Sequence, residues 1–396
     1  MSESQSIADR VEAQLTGARV RTLIIGAGIA GSTLAALMRQ RGERPALIER
    51  QGPVDAGGYM LGVLPLGGRV LNGLGLRQRY ENESSPLKTY ELYNRHGEKP
   101  RSYPLAPIVD AYGDWRGISR LAFLNIIRDS LTDIVFDASV KEMHQTDDHV
   151  EVTFEDASSV TVDLVVGAEG VHSPTRRAFW QDDEIETFDT GWGGYVLWSD
   201  SADLPLDTYS ELWSDGWGVG LYPAFKRVGI FVGGNRKHTK DCTARDFITE
   251  IQGKVPADSC FAKALAAAEI DETPFFWPMT DIRTKSSWSK GRVVLIGDAC
   301  ASFLPTAGIG ASTAMDSAAA LSDELSRADP HLLPYALSLF EKRQRHRVDK
   351  TQKNSRKLAK LMFVDSVAKT ALRDEAMHFY TLKSLVHDIS EIIVGD

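Results

Sequence analysis

Cysteine is scarce. Cys242, Cys260 and Cys300 are the only three, they lie far apart, and they form no Cys-x-x-Cys pair. A disulfide framework and a cysteine-based metal cluster are therefore excluded, no metal site is read from the chain, and a reducing cytoplasm is the expected compartment. Positive charge is also short: 45 Lys and Arg face 54 Asp and Glu, for a net charge of -9. That argues against nucleic acid as a partner. No apolar run approaches the ~20 residues needed to cross a bilayer, so no membrane partner is expected. The polar stretch Met1 to Gly17 has no apolar core of the kind a secretory signal needs. No internal repeat is present. What remains is an ordinary globular composition, 43% hydrophobic and 25% charged, in 396 residues, enough for two or more structural units.

Glycine, by contrast, is placed with purpose. The run Val20-Arg-Thr-Leu-Ile-Ile-Gly-Ala-Gly-Ile-Ala-Gly31 passes from an aliphatic strand into a G-x-G-x-x-G turn, and helix formers follow from Ser32 to Gln40. Gly26 suits a sharp turn, Gly28 lets a backbone approach a pyrophosphate, and Gly31 lets helix and strand pack closely. A second strand, Pro45 to Ile48, ends in Glu49, about 20 residues past the glycines, where a ribose-binding acid is expected. This is the signature of a bound adenine dinucleotide.

Further along, Arg50 to Leu76 reads as a long glycine-rich loop, and 77–110 as strands crossing into a second layer. Arg116 to Ser130 reads as a helix with Leu121, Leu124 and Ile127 on its buried face, and Ile134 to Val140 as a strand. His149 to Phe154 and Val160 to Val166 alternate as a hairpin, the second strand running into Gly167-Ala-Glu-Gly170 and then Ser173-Pro-Thr-Arg176-Arg177. Residues 186–284 carry Trp192, Trp198, Trp213, Trp217 and Trp277 and read as an antiparallel sheet, mostly plain core, with a minority of rings lining a pocket. A buried strand, Arg292 to Ile296, ends in Gly297-Asp298-Ala299, followed by Leu304-Pro-Thr-Ala-Gly308-Ile-Gly310 and a small-residue helix, Ala311 to Leu325. The remainder, from Pro334, is helical, and its basic run Lys342 to Arg347 reads as a solvated face.

Three motifs in this order, GAGIAG with Glu49-Arg50, GAEG with Ser-Pro-Thr-Arg, and GDA with Pro305 and Gly-Ile-Gly, resemble the single-component FAD-dependent aromatic monooxygenases. That group includes p-hydroxybenzoate hydroxylase and the tetracycline-inactivating monooxygenases. The likeness spans roughly residues 20–330. It implies an α/β fold: a Rossmann-like FAD-binding domain assembled from 18–76, 105–185 and 285–333, an interleaved antiparallel-sheet substrate domain from 77–104 and 186–284, and a C-terminal helical segment, 334–396.

The resemblance also implies roles. Gly26, Gly28, Ile29, Ala30 and Gly31 would wrap the FAD pyrophosphate, Glu49 would hold the ribose, and Arg50 would lie against the adenosine half. Arg120 would contact the flavin side chain, Val140 would complete the cofactor wall, and Asp298 would bind the ribityl–pyrophosphate region. Pro305, the one candidate beside the reacting ring, and the backbone from Gly308 through Gly310 and Ala311 to Ser312 would border the isoalloxazine. The Gly57 to Gly68 loop would lie near the flavin. NAD(P)H would dock transiently, since no second G-x-G-x-x-G exists, and O2 would give a C4a-hydroperoxyflavin that oxidises an aromatic or polyketide-like small molecule. A monomer or dimer is expected.

The motifs depart from the family pattern in three places. Glu169 replaces the usual Asp, Cys300-Ala301 replaces Ala-His, and Ile309-Gly-Ala-Ser312 replaces Gln-Gly-x-Asn. The loop by the flavin is thus more apolar than usual. Two alternatives follow: an FAD-containing tailoring protein in which the flavin is structural and the pocket templates a cyclisation, or a flavin-dependent halogenase or reductase, although the Trp-x-Trp-x-Ile-Pro of halogenases is absent. His172 and Cys300, both close to the motifs, read as structural rather than chemical.

Overall fold

A computed structural model describes residues 5–53, 58–99, 101–200, 203–377, 379 and 381–394. A five-stranded sheet sits at its centre. In spatial order it runs Ser289–Lys290, Val293–Leu295, Leu164–Gly167, Thr22–Ile25 and Ala46–Ile48. All its pairings are parallel except the short Ser289–Lys290 edge. Its four parallel strands are buried at every position, which is why they read as unbroken aliphatic runs and not as alternation. The helices Ile29–Gln40 and Gly310–Leu325 pack against each other beside it.

Register positions the site. Ile25 pairs with Gly167, and Gly167 with Leu295. The three strands therefore end level, and the turns beginning at Gly26, Ala168 and Ile296 emerge together at the carboxyl edge, where open α/β sheets bind ligands. The Val160–Val166 run divides in two. Ser159–Val162 pairs antiparallel with Val150–Phe154, whereas Leu164–Gly167 joins the parallel sheet. Asp163 marks the break, accepting the Arg21 N–H at 2.8 Å.

A second, eight-stranded sheet is built mainly from 185–284. Its long strand Ile185–Ser199 pairs with both Arg227–Asn235 and Phe276–Thr284. One pairing departs from the antiparallel expectation: Thr208–Trp213 runs parallel to Thr89–Tyr93. The C-terminal segment forms the helices Leu333–Met362, Val367–Met377 and Leu382–Val394.

Several local expectations are corrected. The stretch after Arg50 is not one loop, because it holds the strand Met60–Val63 and the helix Pro65–Gly73, and Gly57 lies outside the described residues. The 77–110 segment contains the helices Arg77–Asn82 and Ala106–Tyr112 besides its strands. Arg116–Ser119 is a strand, and the helix begins only at Arg120. On that helix Leu121 is 38% exposed, while Phe123, Leu124, Ile126 and Ile127 are buried. Ile134–Val140 makes only a single bridge at Val135 and turns at Asp137, whose φ is 55°, and the strand starts at Val140. The basic run from Lys342 is not simply solvated. Arg345 lies over the Trp288 ring at 4.8 Å, and Arg347 pairs with Asp316 at 2.5 Å, tying this helix inward.

Two glycines, Gly62 read within a loop and Gly117 within a helix, are bare contact surfaces. Gly62 and Gly117 face each other across a strand pair. A Cβ on Gly62 would stand 2.7 Å from the Tyr209 hydroxyl, and one on Gly117 would stand 1.9 Å from the Pro223 carbonyl oxygen. The eight-stranded sheet rests on this patch. Gly117→Ala should therefore cost at least ~3 kcal/mol in urea unfolding. Gly68→Ala, in the helix Pro65–Gly73 with open space at its Cβ, should stabilise by ~0.5–1 kcal/mol.

Candidate functional site

The three glycines of the first motif do three different things. Gly26 has φ 101°, and a Cβ there would come within 2.7 Å of the Ala168 carbonyl oxygen. On Gly31 a Cβ would lie 2.0 Å from the Gly26 carbonyl oxygen, so helix and strand touch backbone to backbone. A Cβ on Gly28 would meet nothing within 4 Å, and the residue lines a large cavity. Gly28 is also the N-cap of the Ile29–Gln40 helix and offers no side-chain cap, so the first helical N–H groups are left to face that space.

The cavity measures about 1300 Å³, beyond the roughly 300–1,000 Å³ that one small ligand usually occupies. It is lined by Gly26, Gly28, Ile29, Ala30, Glu49, Arg50, Arg120, Val140, Asp298, Pro305, Gly308, Gly310 and Ala311. The cofactor candidates from the sequence are thus brought to one space except Gly31, which packs behind it, and Ser312, which is fully buried against Leu64. The residues present fit a dinucleotide: open room over Gly28, a bare helix N-terminus, and an acid and an arginine side by side at 49 and 50.

Glu49 does more than line the wall. Its Oε2 accepts the Ala27 N–H at 2.9 Å and its Oε1 accepts the Gln51 N–H at 3.0 Å. The acid pins the glycine turn, and each oxygen keeps a lone pair for a sugar hydroxyl. Arg128 was not singled out from the sequence. It donates to the Ala27 carbonyl from Nε at 2.9 Å and Nη2 at 2.6 Å, holding the same turn from below. The visible signal is its place two helical turns beyond Arg120, on the same face.

Glu169, which departs from the family pattern, is used for local structure. It accepts from Ser173 Oγ at 2.7 Å, from the Thr175 N–H at 3.0 Å and from the Thr175 hydroxyl, fixing the start of the Pro174–Phe179 helix. Buried Arg176 then joins the second and third motifs, donating to the Ala299 carbonyl at 2.8 Å and to the Val171 carbonyl. Asp298 is half-buried, and its open side faces the cavity. Burial pushes its carboxyl up to about 6, against the opposing pull of Arg120 and Arg176. Cys300 is buried outside the cavity wall, and burial pushes its thiol far up, in keeping with an inert side chain. His172 lines the cavity, a position its reading as purely structural did not anticipate.

Beyond the loop formed by Phe303, Leu304, Pro305 and Ile309, the cavity continues into an aromatic chamber. Tyr90, Trp115, Tyr209, Trp213 and Tyr222 line it on one side, and Tyr59, Phe231, Phe275 and Trp277 on another. Leu358, Leu361, Met362 and Phe363 roof it from the Leu333–Met362 helix and its end, joined by Met377 and Ile389. The sequence reading missed this roof, although Leu358, Leu361 and Met362 fall at helical spacing. It also missed Glu211, a single buried acid among the rings.

With this geometry in place, the comparisons are direct. The chain belongs to the FAD-binding family of single-component flavin monooxygenases: the family described as "FAD binding domain" matches residues 19–331. A flavin-dependent monooxygenase from an unidentified prokaryote is 26% identical over 80% of this chain and 84% of its own length. The FAD-dependent monooxygenase atmM of Aspergillus flavus is 25% identical over 96% of this chain and 85% of its own. Among solved structures, Klebsiella pneumoniae HpxO complexed with FAD and uric acid superposes with a TM-score of 0.82 at 23% identity, covering 94% of this chain and 97% of that one. The protein is an FAD-dependent oxidoreductase. No helix among the described residues is long and apolar enough to cross a membrane.

Two expected outcomes follow. Gly28→Ala should leave unfolding free energy within ~0.5 kcal/mol of wild type yet weaken FAD at least tenfold, whereas Gly31→Ala should destabilise by ~3 kcal/mol or more; urea unfolding with flavin fluorescence titration separates the two. Asp298 has a folded-state value of about 6, above its ordinary 3.8, so the stability tied to its proton is full below 3.8 and lost as pH rises through 6. In the flavin-stripped protein, Asp298→Asn should therefore gain on wild type between pH 4 and 7, by on the order of 1–2 kcal/mol.

Proposed function

We propose that the protein is a monooxygenase that uses NAD(P)H and O2 to oxidise an aromatic small molecule. The observation that carries this reading is the continuity of one cavity, from the bare helix N-terminus at Gly28 to an aromatic chamber under the C-terminal helices. FAD, when bound, supplies the chemistry: it takes electrons from the nicotinamide and delivers one oxygen atom of O2 to the substrate.

The chain's own residues bind, orient and keep out water. Gly28 and the first N–H groups of the Ile29–Gln40 helix would take the pyrophosphate, Glu49 a ribose hydroxyl, and Arg120 and Asp298 the linker toward the ring. The Pro305 to Gly310 loop has no charged side chain, and Leu304 and Ile309 are fully buried. Such a wall shields a reactive oxygen donor from hydrolysis. The rings of the chamber supply flat apolar faces on which an aromatic substrate can be held in register with the cofactor. A reported neighbour of the same fold was solved with uric acid, a flat heteroaromatic molecule, which supports a substrate of that shape.

The test is an anaerobic NADPH and NADH titration of the FAD-loaded protein, following flavin absorbance with and without a panel of phenolic and heteroaromatic compounds. Bleaching that quickens with one compound, and yields its oxygenated product on admitting O2, is the expected result. A tightly bound flavin that neither nicotinamide reduces would overturn the reading.

A further inference from the structure

The chamber contains a buried carboxyl group, Glu211, held by neutral donors. On the strand Thr208–Trp213, alternation places Tyr209, Glu211 and Trp213 on one face, and all three line the cavity. Glu211 is 6% exposed. Its Oε2 accepts from the Tyr90 hydroxyl at 2.8 Å and from Trp213 Nε1 at 3.0 Å, and its Oε1 accepts from the Tyr222 hydroxyl at 2.8 Å. All three donors are neutral. Among the described residues no Lys, Arg or His forms an ion pair with it. Arg373, the cation on the helix that covers Trp213, donates instead to the Trp213 carbonyl at 2.7 Å and to Asp374 at 2.8 Å.

The arrangement is built, not incidental. Gly220 lies directly across the strand pair from Glu211. A Cβ there would stand 2.3 Å from the Tyr222 hydroxyl, so the bare position is what lets that phenol reach Oε1. A carboxylate offers about four acceptor positions, and three are taken, leaving one on Oε1. Around it stand the rings of Tyr90, Tyr209, Tyr222 and Trp213, whose faces attract cations. A buried carboxylate with only neutral donors is costly, and a cation delivered by the ligand offsets that cost.

We infer that Glu211 is the substrate-recognition residue of the chamber and that the ligand it takes is an aromatic molecule carrying a protonated nitrogen, an ammonium or a ring N–H cation. The inference rests on the monooxygenase reading for the identity of the chamber as the substrate site, and it adds the substrate class. Burial holds the Glu211 carboxyl above its ordinary range, with the three hydrogen bonds pulling the other way. Among the described residues the titratable groups facing it are Tyr90, Tyr209 and Tyr222, and burial raises the latter two, so both phenols stay neutral at working pH. Arg373 also lines the cavity, 5.8 Å from the Trp213 ring centre, and is paired there with Asp374. Affinity for a cation should therefore rise with pH as Glu211 ionises, and fall once the ligand's amine loses its proton.

The experiment is calorimetric titration of the FAD-loaded protein with aryl-alkyl amines and their isosteres: tryptamine, 3-ethylindole and indole-3-propionate, and the matching phenethyl series. The expected result is that the amines bind at least tenfold tighter than the neutral isosteres and the carboxylates weakest. Glu211→Gln should shrink that preference below twofold without lowering flavin content. Wild-type preference for the neutral or anionic members, no binding by any member, or an unchanged preference in Glu211→Gln would each overturn the inference. The wild-type ranking decides the matter even if the variant does not fold. NADPH reduction of the flavin is read separately: if it persists while the amine preference fails, only the substrate class falls, and if it fails while the preference holds, only the monooxygenase reading falls.

Discussion

The structure depends on the contact between Gly31 and the Gly26 carbonyl. Any side chain at 31 would overlap that oxygen, so the first helix can lie hard against the first strand only because the position is bare. From this follows the direction of the helix N-terminus, opening on the cavity with no side chain capping it. The level ends of the three parallel strands then add their own turns to the same edge. Arg176 and Arg128 hold those turns in place through carbonyl oxygens. Backbone geometry, more than any reactive side chain, defines the cofactor end.

That is why the turns at this edge of the sheet were legible in the sequence. A glycine demanded by a positive φ or a backbone approach leaves its mark at one position, and strand, turn and helix follow within a dozen residues. The same residue misleads elsewhere. Gly62, Gly67 and Gly68 read as a loop, yet Gly62 sits in a strand where its bareness admits Tyr209 from another sheet. A requirement created by a partner some 150 residues away has no local signature. Glu211 is the sharper case. In the sequence it is one acid in an alternating strand, and only the fold brings Tyr90 and Tyr222 to its two oxygens. The buried face of the Arg120–Arg128 helix was misjudged by one residue for a related reason: periodicity gives the spacing of a stripe but not which side the neighbouring sheet will cover.

The two ends of the cavity divide the chemistry. One end is polar and shaped by backbone N–H groups, Glu49, Arg120 and Asp298. The other is apolar, ringed with tyrosine and tryptophan, roofed by the C-terminal helices, and contains the Glu211 carboxyl on its three neutral donors. Between them lies a loop whose departures from the family pattern, Ile309 above all, make the boundary apolar. Ser312, where that pattern has Asn, turns its hydroxyl away to accept the Leu64 N–H at 3.0 Å, clasping the helix behind the loop to the strand Met60–Val63. Two of the substituted side chains thus serve local structure, Ser312 on Leu64 and Glu169 on Ser173 and Thr175.

The measurement that tests this account most directly is a crystal structure of the protein with FAD bound. The account requires the pyrophosphate over the Gly28 backbone, the ribityl chain beside Asp298 and Arg120, and the ring at the Pro305 to Gly310 loop, facing the chamber that holds Glu211. A flavin whose phosphates avoid Gly28, or whose ring has no open path to that chamber, would contradict it.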